Sequence, residues 1–165
     1  MIQLSFDPTA FRAAAQYVID IADAPALTGG SRRCLDTEDL SALRGHFAEA
    51  LNEASIHDLI VHTVTGLPDS ATDPDIMISS DTDFADDGFP EGTHCELDVT
   101  FRSGGHRQRI SVAAHLDVID VDRLCRDVPE PSLLDQLVGL AAEYTARLND
   151  HLQRAQEAWT AVLVA

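Results

Sequence analysis

The clearest periodic stretch of the chain runs from His94 to Arg102. Cys95, Leu97, Val99 and Phe101 alternate there with His94, Glu96, Asp98, Thr100 and Arg102. That two-residue period belongs to a strand with one buried and one solvated face. Gly104 and Gly105 follow, and two successive residues that accept positive φ suit a two-residue hairpin turn. Turning there sets Val99 opposite Ile110, Leu97 opposite Val112 and Cys95 opposite Ala114. The polar face then pairs Thr100 with Arg109 and His94 with His115. A slip of one residue would oppose apolar to polar throughout, so this register is the expected one. The returning strand is expected to reach Ile119.

Elsewhere the period lengthens or disappears. Residues 1–6 read as a short strand. Asp7-Pro8 reads as an N-cap with proline in the first turn, opening a helix to about Ala22 with Phe11, Ala14, Ala15, Val18 and Ala22 on one face. Pro25 and Gly29-Gly30 are expected to end that unit. A second helix is expected from Asp36 or Thr37, with Leu40, Leu43, Phe47, Ala50 and Leu51 as its stripe. Residues 59–65 and 75–80 read as strands, and residues 81–92 as an acidic loop. After Pro129 and Pro131, Ser132 and Asp135 resemble a capping box. The helix that follows carries Leu134, Leu137, Ala141, Tyr144, Leu148, Leu152, Ala155, Trp159 and Val162 at near-helical spacing, over about thirty residues or roughly 45 Å. Together these elements predict an α+β fold. A single domain over residues 1–165 holds an antiparallel sheet of about four to five strands, covered on one face by helices, with a long C-terminal helix.

Length and hydropathy agree with that picture. A chain of 165 residues with 45% apolar content can bury roughly 70% of its unfolded surface. No stretch approaches the ~20 apolar residues of a membrane span, and the first residues lack the basic start and apolar run of a signal peptide. A cytoplasmic protein is expected. Cys34, Cys95 and Cys125 are far apart and form no C-x-x-C pair, so they read as reduced thiols, with Cys95 in the core.

Charge changes the picture most. Twenty-eight acids oppose 11 bases for a net charge of −17, and every base is arginine. The excess is local. Residues 45–101 hold 13 acids and no Arg or Lys, whereas the segments on either side are each near −2. Direct nucleic-acid binding through a basic surface is disfavoured by these numbers.

Candidate chemistry is sparse. There is no phosphate-binding G-x-x-x-x-G-K-[ST], no G-x-S-x-G and no H-E-x-x-H. His94, Glu96 and His115 share one strand face in the expected register, and two imidazoles with a carboxylate suit zinc or iron(II). A metal-dependent enzyme built on them is therefore one alternative, set against an exposed polar face that happens to hold two histidines. The acidic loop fails as an EF-hand: counted from Asp83, position 3 is Ala85 and position 12 is His94. His46, His57 and His62 have no neighbour that marks a general base. No cofactor is expected.

The acidity has three explanations: a solubilising surface, adaptation to high salt, or a surface that meets a basic partner. Its confinement to one third of the chain favours the last. The expected function is a non-enzymatic interaction protein, with Asp69, Asp73, Asp75, Asp81, Asp83, Asp86, Asp87, Glu91, Glu96 and Asp98 facing a basic protein or a nucleic-acid-binding complex. By analogy of composition alone, a phage-type DNA-mimic inhibitor would look like this. So would a small acidic chaperone or immunity protein. A homodimer is also expected, through Leu148, Leu152, Ala155, Trp159 and Val162, because the last helix outruns one small sheet.

Overall fold

The computed structural model describes residues 1–27, 58–84, 86, 90–116 and 130–164. Its elements are β1 (Gln3–Phe6), α1 (Pro8–Leu27), β2 (His62–Thr65), β3 (Thr72–Phe84), β4 (Pro90–Ser103), β5 (His106–Leu116) and α2 (Glu130–Val164). The helix expected from Asp36 and the continuation of β5 to Ile119 lie outside the described residues, as do Cys34, Cys125, His46, His57 and Asp87. No described helix is long and apolar enough to cross a membrane.

The strands are antiparallel, as expected, but they form two sheets rather than one of four to five strands: β1-β2, and β3-β4-β5. The β4-β5 register is the one the alternation requires, with Val99 opposite Ile110, Leu97 opposite Val112, Cys95 opposite Ala114 and His94 opposite His115. Gly104 and Gly105 turn it with φ of 58° and 81°, a pair of values that side chains with a Cβ resist. The largest departure is β3. It runs on through Asp81–Phe84, where a loop is expected, because Asp81 pairs with His94 and Thr82 with Thr93. Cross-strand hydrogen bonding outweighs the low strand propensity of aspartate there.

Backbone contacts gather into two compact units. One unit comprises residues 1–6, 62–118 and 142–165, and the other residues 7–61 and 119–141. In the second unit Asp7 caps α1, accepting from the Thr9 amide at 2.8 Å. Phe11, Ala15 and Ile19 are buried on α1, as are Leu133, Leu137 and Ala141 on the first turns of α2. Arg12 forms an ion pair with Asp135. The α1 backbone passes Pro25 and ends at Leu27, since a proline this close to a helix end removes only one internal hydrogen bond.

The first unit holds the sheets and the second half of α2. Leu4, Cys95, Leu97, Val99, Phe101, Val112 and Ala114 are buried on the strands, and Tyr144, Leu148 and Leu152 on the helix. Polar side chains of α2 tie it to three strands. Thr145, itself buried, meets Nε2 of His62 on β2 at 2.9 Å. The Tyr144 hydroxyl lies 3.2 Å from Cys95 Sγ on β4, and burial pushes that thiol's pKa up although the Tyr144 contact opposes it. On β1, the Asn149 amide accepts from the Leu4 N–H at 2.7 Å and donates to the Leu4 carbonyl at 2.9 Å. Seven residues on, Gln156 repeats this with Ile2, at 2.8 and 2.9 Å. Because β2 pairs with β1 through the opposite edge, these two amides supply the partners that a further strand would.

Asn149→Leu leaves both peptide groups of Leu4 without those partners. At about 1–3 kcal/mol for an unsatisfied buried group, discounted for partial exposure, the variant is expected to lose about 1–3 kcal/mol of unfolding free energy, read from the urea midpoint. An unchanged midpoint would show that water replaces the amide.

Candidate functional site

The side chains of the three-stranded sheet divide by parity. One set faces the core; the other forms an outer face of solvated residues in cross-strand rows. From one end to the other the rows on β3, β4 and β5 are Asp81, His94 and His115; Ser79, Glu96 and Ala113; Met77, Asp98 and Ser111; Asp75, Thr100 and Arg109; and Thr72, Arg102 and Arg107. Met77 is 61% exposed in the middle of this face. Asp75, Met77, Asp98, Thr100, Arg107 and Arg109 line an open cleft of about 550 Å³.

The centre of the face is electrostatically tied. Arg109 grips Asp98 with two nitrogens, Nε to Oδ1 at 2.9 Å and Nη2 to Oδ2 at 2.6 Å, while the Ser111 hydroxyl donates to Oδ1 at 2.5 Å. The two-pronged geometry suits guanidinium and carboxylate. These hydrogen bonds, Arg109 first and Ser111 second, hold the Asp98 carboxyl below its ordinary range, and Asp98 in turn raises Arg109. Asp98 therefore ties β4 to β5 and is not a free acid awaiting a partner.

The remaining expected partner-binding residues have separate surroundings. Asp69, Asp73, Asp75, Asp81, Asp86 and Glu96 are exposed. Asp73 sits at a bulge in β3 with φ of 53°. Asp83 and Glu91 lie on β3 and β4, with side chains outside the described set. None of Asp69, Asp73, Asp75, Asp81, Asp86 and Glu96 is paired with an arginine among the described residues.

The three candidate metal ligands share the face but do not converge. His94 Nε2 lies 3.9 Å from Glu96 Oε1, whereas the His115 ring lies over Gly92, so closely that any Cβ at Gly92 would collide with it. Among the described residues no three His, Cys, Asp or Glu side chains form a metal-holding group. Of the residues expected to pair two copies, two are buried within the chain. Leu148 and Leu152 have no exposed surface. Ala155 is half-buried, and the side chains of Trp159 and Val162 lie outside the described set. Sequence reading missed the Asp98–Arg109–Ser111 cluster. Its signal was present in the hairpin register, which sets Ser111 opposite Asp98 and Arg109 one row away.

Compared with models of protein families, with curated proteins and with solved structures, the chain matches none.

A depressed carboxyl stabilises the fold above its unfolded pKa, and that contribution disappears as pH falls through the folded value. The stability gap between the native chain and Asp98→Asn is thus expected to be constant above about pH 5 and to shrink below the ordinary aspartate value of about 3.9. Arg109→Gln should raise the Asp98 titration followed by NMR. An Asp98 that titrates at or above the ordinary value in the native chain would contradict the tie.

Proposed function

We propose that the chain is a non-enzymatic interaction protein that meets a basic macromolecular partner through the acidic surface of residues 58–98. One observation carries the reading: Asp69, Asp73, Asp75, Asp81, Asp86 and Glu96 are exposed and unpaired with arginine among the described residues, within a stretch from 45 to 101 that has no Arg or Lys. Carboxylates that only solubilise are commonly interspersed with bases; here Asp81 and Glu96 stand at the end of the outer sheet face away from its arginines, an acidic end able to steer a cationic partner. A nucleic-acid-binding complex is the partner class whose own surface has the matching need, since it arrays cations for phosphates. The fork of Asp98 and Arg109 holds the hairpin at the centre of the sheet's outer face and contributes no free charge to it.

The test uses a labelled arginine-rich peptide at about 0.15 M salt, where distant charges are screened. Three exposed pairs at roughly 0.5 kcal/mol each amount to about tenfold, so Asp69→Asn/Asp81→Asn/Glu96→Gln is expected to weaken peptide binding by about that factor. The control Asp20→Asn/Asp150→Asn/Glu157→Gln removes the same charge from helical surfaces and should change binding little. Equal losses in the two triple variants would reduce the acidity to a general surface property.

A further inference from the structure

The outer face of the three-stranded sheet is not uniformly acidic. Over its five rows it carries four carboxylates, Asp75, Asp81, Glu96 and Asp98, against Arg102, Arg107 and Arg109. It is thus close to neutral in a chain of −17, and the signs are unevenly placed along the strands: the three arginines stand on one side of the central row with Asp75 among them, and Asp81 and Glu96 stand on the other. Arg102 and Arg107 are direct cross-strand partners at one end. Like charges so placed cost stability, and among the described residues neither meets a carboxylate; Arg107 has only a 3.5 Å contact to the Thr100 hydroxyl. Asp81 and Glu96 occupy the opposite end. The row of Met77 and Asp98 lies midway, four β4 residues from Arg102 and four from His94, or about 14 Å in each direction at ~3.4 Å per residue.

A face with a net positive end, a net negative end and an exposed methionine, Met77, beside the neutralised Asp98–Arg109 pair in its middle complements itself under a two-fold rotation. We propose that this face docks on the same face of a second copy, about an axis perpendicular to the strands that passes through the central row. The arginine end of each copy then lies over the acidic end of the other, and Met77 meets its own counterpart. Such an interface is isologous, so each favourable contact occurs twice. The inference rests on the reading of the acidic end as a surface for cations, and it names those cations as Arg102 and Arg107 of another copy.

Magnitudes set the strength of the complex. Ten residues by three strands present about 450 Å² of sheet per copy at these spacings, so the pair buries less than the roughly 1,200–2,000 Å² of a stable complex. The dimer is a weak one. The general negative charge of the two copies does not forbid it, because at about 0.15 M salt charges more than ~8 Å apart are largely screened while pairs in contact are not.

Sedimentation equilibrium tests the proposal. In about 0.15 M salt, the native mass is expected to rise from 17.9 kDa toward twice that value as concentration increases from about 10 μM to about 1 mM, a range suited to a small interface. Arg102→Glu/Arg107→Glu and Asp81→Arg/Glu96→Arg should each stay monomeric, and an equimolar mixture of the two should recover the dimer mass. A native chain that stays monomeric throughout overturns the proposal, as does a dimer that both variants retain, or two folded variants that fail to associate when mixed. If a charge reversal unfolds the chain, Arg102→Gln/Arg107→Gln replaces it. The dimer affinity should then drop about tenfold, and an unchanged affinity is the overturning result. The arginine-rich peptide separates this inference from the reading beneath it. Peptide binding by a strictly monomeric protein removes the dimer alone, whereas a charge-dependent dimer that ignores the peptide removes the wider reading alone.

Discussion

A strand at the margin of a two-stranded sheet exposes one row of backbone donors and acceptors, and β1 meets that constraint with a helix. Asn149 and Gln156 each offer one acceptor and one donor, and each engages both peptide groups of a single residue, Leu4 or Ile2. Unpaired backbone groups removed from water are costly, and an open edge invites a foreign strand. Tying the edge to a helix meets both demands and fixes where the second half of α2 lies within the first unit. From that position Tyr144, Thr145, Leu148 and Leu152 are buried, with Tyr144 reaching β4 and Thr145 reaching β2.

The same arrangement defines the exposed chemistry. With the apolar side of β3-β4-β5 committed to the core, the polar alternation of β4 has only solvent to face, and the acids and arginines of the hairpin gather in rows. Asp98, Arg109 and Ser111 neutralise one another at the centre. What remains is an acidic end and an arginine end, with exposed Met77 between them. The proposed partner surface and the proposed pairing of copies both draw on this separation. Neither needs a cavity, a metal or a reactive side chain.

Hydrophobic alternation made the hairpin legible. Four apolar residues at a period of two, two glycines and four residues of matching parity beyond them left one register in which both faces agree. The core placement of Cys95 follows from that register. The acidic stretch from Asp81 to Phe84 was not legible, because its strand state depends on a partner strand that local composition does not name. Nor was the buried stripe of α2 read without error. Leu134 suits the periodic pattern, but Leu133 is the residue buried, since the helix is oriented by all its neighbours at once.

By itself, then, the sequence determined the hairpin, its register, the long last helix, the local excess of negative charge and the absence of familiar catalytic motifs, because each is a property of short range or of composition. The tertiary structure alone decided which polar residues act together. Asn149 and Leu4 are 145 residues apart, and no local period links a helix amide to a distant strand edge. It also separated three histidine and glutamate side chains that a shared register had suggested were one ligand set, because register determines the face on which a side chain stands while packing determines where its ring turns. Finally, it committed Leu148 and Leu152 to the chain's own core: a helical stripe records that a face will be buried, and only the packed fold decides what buries it.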